Sequence, residues 1–302
     1  MERTPFQNQL AQRLPEADLR FDEPMARHTS FRIGGPAEVM AFPRSPEELA
    51  EILRAAAALQ AVPAVLGAGT NVLAPDEGIR GLVICLKDAL GGMERRDGNR
   101  IFVMAGVTMA RAAVFAANQG LSGLEFAHGI PGTVGGGVYM NAGAYGGEIG
   151  GVCTAVELMD RAGNRFRLSG DEMGFSYRHS RVEEGDDLVI GAEFTLIPGE
   201  KETIQARMRE LAAKRTASQP LDLPSAGSAF KRPVGGYAAA LIDQAGLKGF
   251  RVGDAAISEK HAGFAVNLGR ATASEVRALL RQVSDRVYAA SGIRLEPEIR
   301  LW

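Results

Sequence analysis

Ser228 lies in the stretch Pro224-Ser225-Ala226-Gly227-Ser228-Ala229-Phe230-Lys231-Arg232-Pro233, read as a glycine-rich turn with no histidine near it in sequence. A hydrolytic serine needs an adjacent base, so this hydroxyl reads instead as a proton donor. A hydroxyl of ordinary high pKa gives its proton only to a strongly basic carbon or oxyanion, and hydride addition to a conjugated double bond creates such a species. The chemistry suggested is reductive. On residue type alone, a serine after glycine is more often a turn or capping residue.

Two further side chains could serve such a reaction. Arg178, in Phe175-Ser176-Tyr177-Arg178-His179-Ser180, is a permanently charged planar donor suited to a carboxylate, although an arginine in a polar connection is commonly solvated or salt-bridged. Glu298 lies in Leu295-Glu296-Pro297-Glu298-Ile299-Arg300-Leu301, where alternation puts Glu296, Glu298 and Arg300 on one face of an extended segment. Its other reading is an ordinary carboxylate on an edge strand. The histidines, His28, His128, His179 and His261, show no metal-ligand spacing, and Cys85 and Cys153 sit in apolar stretches without a Cys-x-x-Cys pattern. Buried thiols in a reducing cytoplasm and no metal are expected.

Glycine-rich loops supply a binding function. Gly67-Ala68-Gly69-Thr70-Asn71 follows the apolar run Val62 to Leu66, as a phosphate loop would, since glycines let a backbone approach and successive N–H groups can cradle phosphate oxygens. Val72 stands where a Rossmann fingerprint needs a third glycine, and no Lys-Ser or Lys-Thr makes a Walker loop. Alone, such a loop is more often a tight turn. A second loop, Gly129-Ile130-Pro131-Gly132-Thr133-Val134-Gly135-Gly136-Gly137, changes the weighting, because two such segments can wrap the pyrophosphate of an extended dinucleotide from both sides. Asn141-Ala142-Gly143-Ala144-Tyr145-Gly146 adds small residues for close approach to a planar ring and one amide for hydrogen bonding, with Tyr145 either a ligand contact or a packing residue.

The elements that must position these groups alternate between helix and strand. Ser45-Pro46-Glu47-Glu48 predicts a capped helix to about Leu59, with Glu48 completing a capping box, and a second helix is expected over Thr108 to Asn118. Strands are expected at Gly81 to Leu86, Ile101 to Ala105 and Leu188 to Ile197, with a hairpin from Ala155 to Leu168 turning at Arg161-Ala162-Gly163-Asn164. Charged helical sequence runs from Lys201 to Lys214, and the last part holds helices at Tyr237 to Ala245 and after the capping box Thr272-Ala273-Ser274-Glu275. The chain has 302 residues, 46% of them hydrophobic, which is enough for more than one core. Its net charge of -2, from 34 basic and 36 acidic side chains, advertises neither nucleic acid nor an anionic membrane as partner. Neither a secretory signal nor a membrane span is read in it, so a cytoplasmic protein is expected. The expected state is a monomer.

Taken in order, Val65 to Leu73, Gly129 to Gly137, Tyr177 to Ser180, the serine stretch and Leu295 to Arg300 make the chain resemble the UDP-N-acetylenolpyruvoylglucosamine reductase family, from about Arg27 to the C-terminus. The resemblance implies an α+β protein with a FAD-binding fold of the vanillyl-alcohol-oxidase type in two subdomains, plus a small α+β substrate-binding domain. The expected division is residues 1–66 joined by 290–302, then 67–200, then 201–289. Noncovalent FAD is implied at Gly67, Ala68, Gly69, Thr70, Asn71, Val72, Gly129, Ile130, Thr133, Gly135, Gly136, Asn141 and Ala142. NADPH is the implied electron donor, and the implied substrate is UDP-N-acetylglucosamine enolpyruvate. Arg178, Glu298 and Ser228 match the family's catalytic positions, while Tyr145, Lys214, Arg215, Lys231, Arg232 and Lys260 are candidates for holding the substrate and its diphosphate. After Ser180 the chain runs through Arg181-Val182-Glu183-Glu184-Gly185 directly toward a strand, so it resembles the shorter class of the family without a tyrosine-bearing lid loop. The rival expectations are an oxidase of the same fold and a noncatalytic nucleotide-sugar or flavin-binding module.

Overall fold

The computed structural model describes residues 3–302, so Met1 and Glu2, where the expected first lobe begins, lie outside the described residues. The chain divides into two compact units, each assembled from discontinuous stretches: Met1–Phe21, Glu38–Ala68 and Gly81–Lys214 in the first, and Asp22–Ala37, Gly69–Arg80 and Arg215–Trp302 in the second.

The first unit is held by one core that runs from Leu10 to Met208. It contains most of a sheet ordered Leu19–Pro24, Pro36–Ala41, Ile79–Cys85, Ala64–Leu66, and a five-stranded sheet ordered Arg165–Ser169, Cys153–Met159, Leu188–Thr195, Arg100–Met104, Met93–Arg95. The helix Pro46–Ala58 starts as expected on Ser45, whose hydroxyl accepts from Glu48 N–H. Glu48 does not close a capping box, because its carboxylate takes the N–H of Arg44 at 2.7 Å instead. The hairpin turns where it was expected: Asp160 Oδ1 accepts from the N–H groups of both Ala162 and Asn164, fixing the register Met159↔Arg165.

The second unit packs a sheet ordered Ser225–Ser228, Phe264–Asn267, Ala255–Ile257, Arg251–Val252 around the long final helix Ala273–Ser291. Thr272 and Glu275 form the expected capping box. Asp76 adds a second cap, accepting from Ala273 N–H at 2.7 Å and Ser274 N–H at 2.9 Å.

The two units are cut differently from the expected three-part division, for reasons visible in the packing. Ile204 and Met208 of the helix Lys201–Ser218 are buried in the first core, so the boundary is not at residue 200. Phe31, Ile33 and Leu73 are buried in the second core, which draws two early segments into the later unit. Leu295 and Ile299 are buried there as well, so the C-terminal segment joins residues 215 onward rather than 1–66. Among the described residues no helix is long and apolar enough to cross a membrane, and no group of three or more His, Cys, Asp or Glu side chains could hold a metal ion.

Candidate active site

In the second unit the serine stretch is a strand, not a turn. Ser225 faces Val266 and Ser228 faces Phe264, so one extra residue is accommodated, and Gly227 takes it up at φ +75. Such a bulge re-aims the side chains that follow it. Ala226, Ala229 and Phe230 are buried while Ser228 is exposed.

Immediately beyond, residues 229–231 run antiparallel to 296–298. Glu298 N–H donates to the carbonyl of Ala229 at 3.0 Å, Lys231 N–H donates to the carbonyl of Glu296 at 2.9 Å, and Phe230 and Pro297 form the bridge between them. Ser228 and Glu298 are therefore held close by the pairing of these two segments. Leu295 and Ile299 anchor the later segment in the core, leaving Glu298 half-buried. The expected alternation ends there: only Arg300–Leu301 is strand, paired in parallel with Val72–Leu73, and Leu301 is 42% exposed.

The later part of the first glycine-rich loop, residues 69–71, meets the same place. Asn71 Nδ2 donates to the carbonyl of Glu298 at 3.1 Å, and Asn71 O accepts from Arg300 N–H at 2.9 Å. Ser30 Oγ lies within hydrogen-bonding reach of the carbonyls of Ser225, at 2.6 Å, and Gly69, at 3.3 Å. A Cβ placed on Gly227 would lie 4.0 Å from the carbonyl oxygen of Thr70. Gly69 itself sits at φ +61 with the His28 carbonyl only 2.1 Å from where a Cβ would be, so no other residue fits. Ser30 was missed by sequence reasoning, because nothing in the spacing of Thr29-Ser30-Phe31 shows that its hydroxyl will reach a distant loop and a distant strand.

The first unit carries the other groups. A Cβ on Gly67 would come 2.5 Å from Thr133 Oγ1, so the two glycine-rich segments lie backbone against side chain. Gly67, Ala68, Gly129, Ile130 and Ala142 keep part of their surface open, and Gly136 is exposed with nothing closer than 3.7 Å to an added Cβ. Open backbone of this kind fits the phosphates and flat rings of FAD. Thr70, Asn71 and Val72, which belong to the second unit, are part-open as well. Four of the residues expected to contact FAD are buried. Gly69, Thr133, Gly135 and Asn141 are closed from the surface: Gly135 packs on Ala105, Thr133 accepts from Gly136 N–H, and Asn141 uses its amide inside the fold. His128 Nδ1 is buried and has no partner, for which the structure gives no account.

Arg178 sits at φ +55 in a tight turn between Ser176 and His179, its guanidinium over the Tyr177 ring at 5.0 Å and 3.4 Å from the carbonyl of Gly143. Tyr145 tips the short hairpin Gly143–Ala144 and Gly147–Glu148, 43% exposed. The substrate-side cations differ in their surroundings. Lys260 Nζ donates to the carbonyl of Thr216 at 2.8 Å, next to Arg215. Lys231 Nζ pairs with Glu296 at 2.5 Å, and the Arg232 guanidinium stacks on Tyr237 at 4.2 Å. Lys214 belongs to the first unit and pairs with Glu210 along its own helix at 2.6 Å.

Comparison with known proteins agrees with this geometry. Residues 219–302 match the C-terminal domain of UDP-N-acetylenolpyruvoylglucosamine reductase, and residues 37–169 match a FAD binding domain. The chain is similar to the UDP-N-acetylenolpyruvoylglucosamine reductase of Agathobacter rectalis, at 45% identity over 98% of each chain. It is 44% identical to that of Caldanaerobacter subterraneus over 97% of each. The solved structure of UDP-N-acetylenolpyruvylglucosamine reductase from Thermus caldophilus superposes with a TM-score of 0.81 at 38% identity, covering 95% of this chain and 99% of that one. The expected α+β architecture with a FAD-binding fold of the vanillyl-alcohol-oxidase type is thus present. The chain belongs to the UDP-N-acetylenolpyruvoylglucosamine reductase family.

Proposed function

We propose that this protein reduces UDP-N-acetylglucosamine enolpyruvate to UDP-N-acetylmuramate, with NADPH as electron donor and FAD held noncovalently. Besides family membership, one observation carries the reading: the second unit brings Ser228, Glu298 and the loop Gly69-Thr70-Asn71 to one place.

Bound FAD, once reduced by NADPH, supplies the hydride that adds to the terminal vinyl carbon of the enolpyruvyl group. As that double bond opens, its electron pair moves to the carbon bearing the ether oxygen and on into the carboxylate. Arg178 binds the carboxylate and offsets the growing charge, a role for which a planar permanent cation is suited. Ser228 delivers its hydroxyl proton to the ether-bearing carbon and regains one from solvent. Glu298 assists with charge and protonation at the enolic carboxylate, and as the neutral acid it would donate a hydrogen bond there. Lys260, Arg215, Lys231 and Arg232 are the cations available on the second unit for the diphosphate. Tyr145 and Lys214 are carried by the first unit. A monomer working in the cytoplasm is part of the same reading.

The test is turnover with NADPH in deuterium oxide, followed by NMR of the product. The expected product is UDP-N-acetylmuramate carrying deuterium at the ether-bearing carbon. Protium at that carbon, or an unconsumed enolpyruvyl ether, contradicts the proposal.

A further inference from the structure

Asn141 commits both its backbone and its side chain. It is 0% exposed and holds φ +40, a conformation asparagine tolerates better than other side-chain-bearing residues. Its Nδ2 donates to the carbonyl of Ser176 at 2.9 Å, and its Oδ1 accepts from Gly150 N–H at 2.8 Å. A buried amide satisfied at both ends fixes geometry, because every alternative arrangement leaves a polar group unpaired.

The Ser176 carbonyl it holds opens the turn that carries Arg178. That carbonyl also accepts from His179 N–H at 3.2 Å, while Ser176 N–H donates to the His179 carbonyl at 3.1 Å. The positive φ of Arg178 is unfavourable for a residue with a Cβ, so the turn has to be imposed by its surroundings. Two side-chain bonds impose it: Asn141 at the Ser176 end, and Ser180 Oγ donating to the carbonyl of Tyr139 at 2.9 Å at the other. The guanidinium then reaches the carbonyl of Gly143, two residues beyond Asn141. Gly150 is glycine for the same reason, since a Cβ there would sit 2.8 Å from Phe175 and 3.2 Å from Asn141 Oδ1.

The geometry points to Asn141 as a positioning residue for Arg178, setting where the guanidinium meets the substrate carboxylate without touching substrate itself. This rests on the reading of Arg178 as the carboxylate-binding group. Only asparagine supplies both bonds from this backbone conformation. Aspartate keeps the Gly150 bond and tolerates the backbone, but it presents an oxygen to the Ser176 carbonyl in place of a donor.

The experiment titrates the FAD-loaded enzyme with two ligands, UDP-N-acetylmuramate, which has the carboxylate, and UDP-N-acetylglucosamine, which lacks it. Asn141→Asp is expected to weaken the first about tenfold, as for loss of one charge-assisted contact, and to leave the second unchanged. Arg178→Ala is expected to show the same selective loss, and the double variant to bind no more weakly than Arg178→Ala alone. Equal weakening of both ligands by Asn141→Asp, no weakening, or losses that multiply in the double variant would overturn the assignment to Asn141. Wild-type affinity for both ligands in Arg178→Ala would instead remove the reading of Arg178, and the inference with it. Should Asn141→Asp fail to fold, Ser180→Ala loosens the other end of the turn and is expected to give the same selective loss; wild-type binding by it would count against the mechanism.

Discussion

The side-chain amide of Asn71 donates to the backbone carbonyl of Glu298 at 3.1 Å. A residue of the first glycine-rich loop thereby holds the segment that carries the candidate acid, and the return bond from Arg300 N–H to the Asn71 carbonyl closes the clasp. Asn71→Ala removes the side-chain bond and leaves the backbone bond from Arg300 in place. It is expected to lower stability by about 1 kcal/mol and to slow oxidation of the reduced enzyme by substrate roughly fivefold. Urea unfolding and single-turnover absorbance check the two parts; an unchanged rate in a folded, flavin-loaded variant would show that the clasp does not set Glu298.

Gly67→Ala wedges a methyl group against Thr133 Oγ1, 2.5 Å from the position of the new Cβ. The loops must part, so the variant is expected to purify with FAD weakened at least about tenfold, whereas Gly151→Ala, which enters open space, keeps it. Flavin content after gel filtration and FAD titration of the apoprotein measure this. Full retention by Gly67→Ala would mean the two loops do not form one cradle.

The local parts of this fold were legible in the sequence where a residue acts on its near neighbours. Ser45, Thr272 and Asp160 announce two helix starts and a hairpin because their side chains bond backbone within four residues. The aim of Ser228 was not legible, since the bulge at Gly227 exists only against Phe264–Asn267. Asn141 read as a free amide beside a ring, yet its partner Ser176 lies 35 residues away and claims it. The division into units was hidden for a related reason: whether Phe31 or Met208 serves one core or the other depends on long-range packing that periodicity does not encode.

Burial pushes the thiols of Cys85 and Cys153 up to about 11 and about 12. At pH 8 the thiolate fraction of either is then at most about one in a thousand, so neither should react quickly with a disulfide reagent in the native protein. Both should react once it is unfolded, and native reactivity should rise only toward strongly alkaline pH. A fast stoichiometric native reaction would contradict the environment described for them.

Glu193 is 3% exposed and is held by Arg96, Arg100 and Arg167. Burial opposes its ionisation, but hydrogen bonds from Arg96 and Arg167 outweigh that and hold its carboxyl below the usual range. A lowered folded pKa means the stabilisation is present above the ordinary glutamate value and is lost as pH falls through the folded one. Glu193→Gln is therefore expected to cost about 1–3 kcal/mol at neutral pH, with the gap from wild type narrowing below about pH 4. Urea midpoints across that range test it; a gap that is constant with pH would show that charge is not the origin.

On the proposed function, the reduced flavoprotein passes its electrons to the enolpyruvyl ether with the proton coming from Ser228. Anaerobic stopped-flow absorbance at the oxidised flavin band tests it most directly, by reducing the protein with NADPH and then adding UDP-N-acetylglucosamine enolpyruvate. The wild type is predicted to regain the oxidised spectrum rapidly, and Ser228→Ala to be reduced by NADPH at nearly the wild-type rate but reoxidised by substrate at least about a hundredfold more slowly. A wild-type flavin that stays reduced until oxygen is admitted, or equal losses in both half-reactions for Ser228→Ala, would contradict the account.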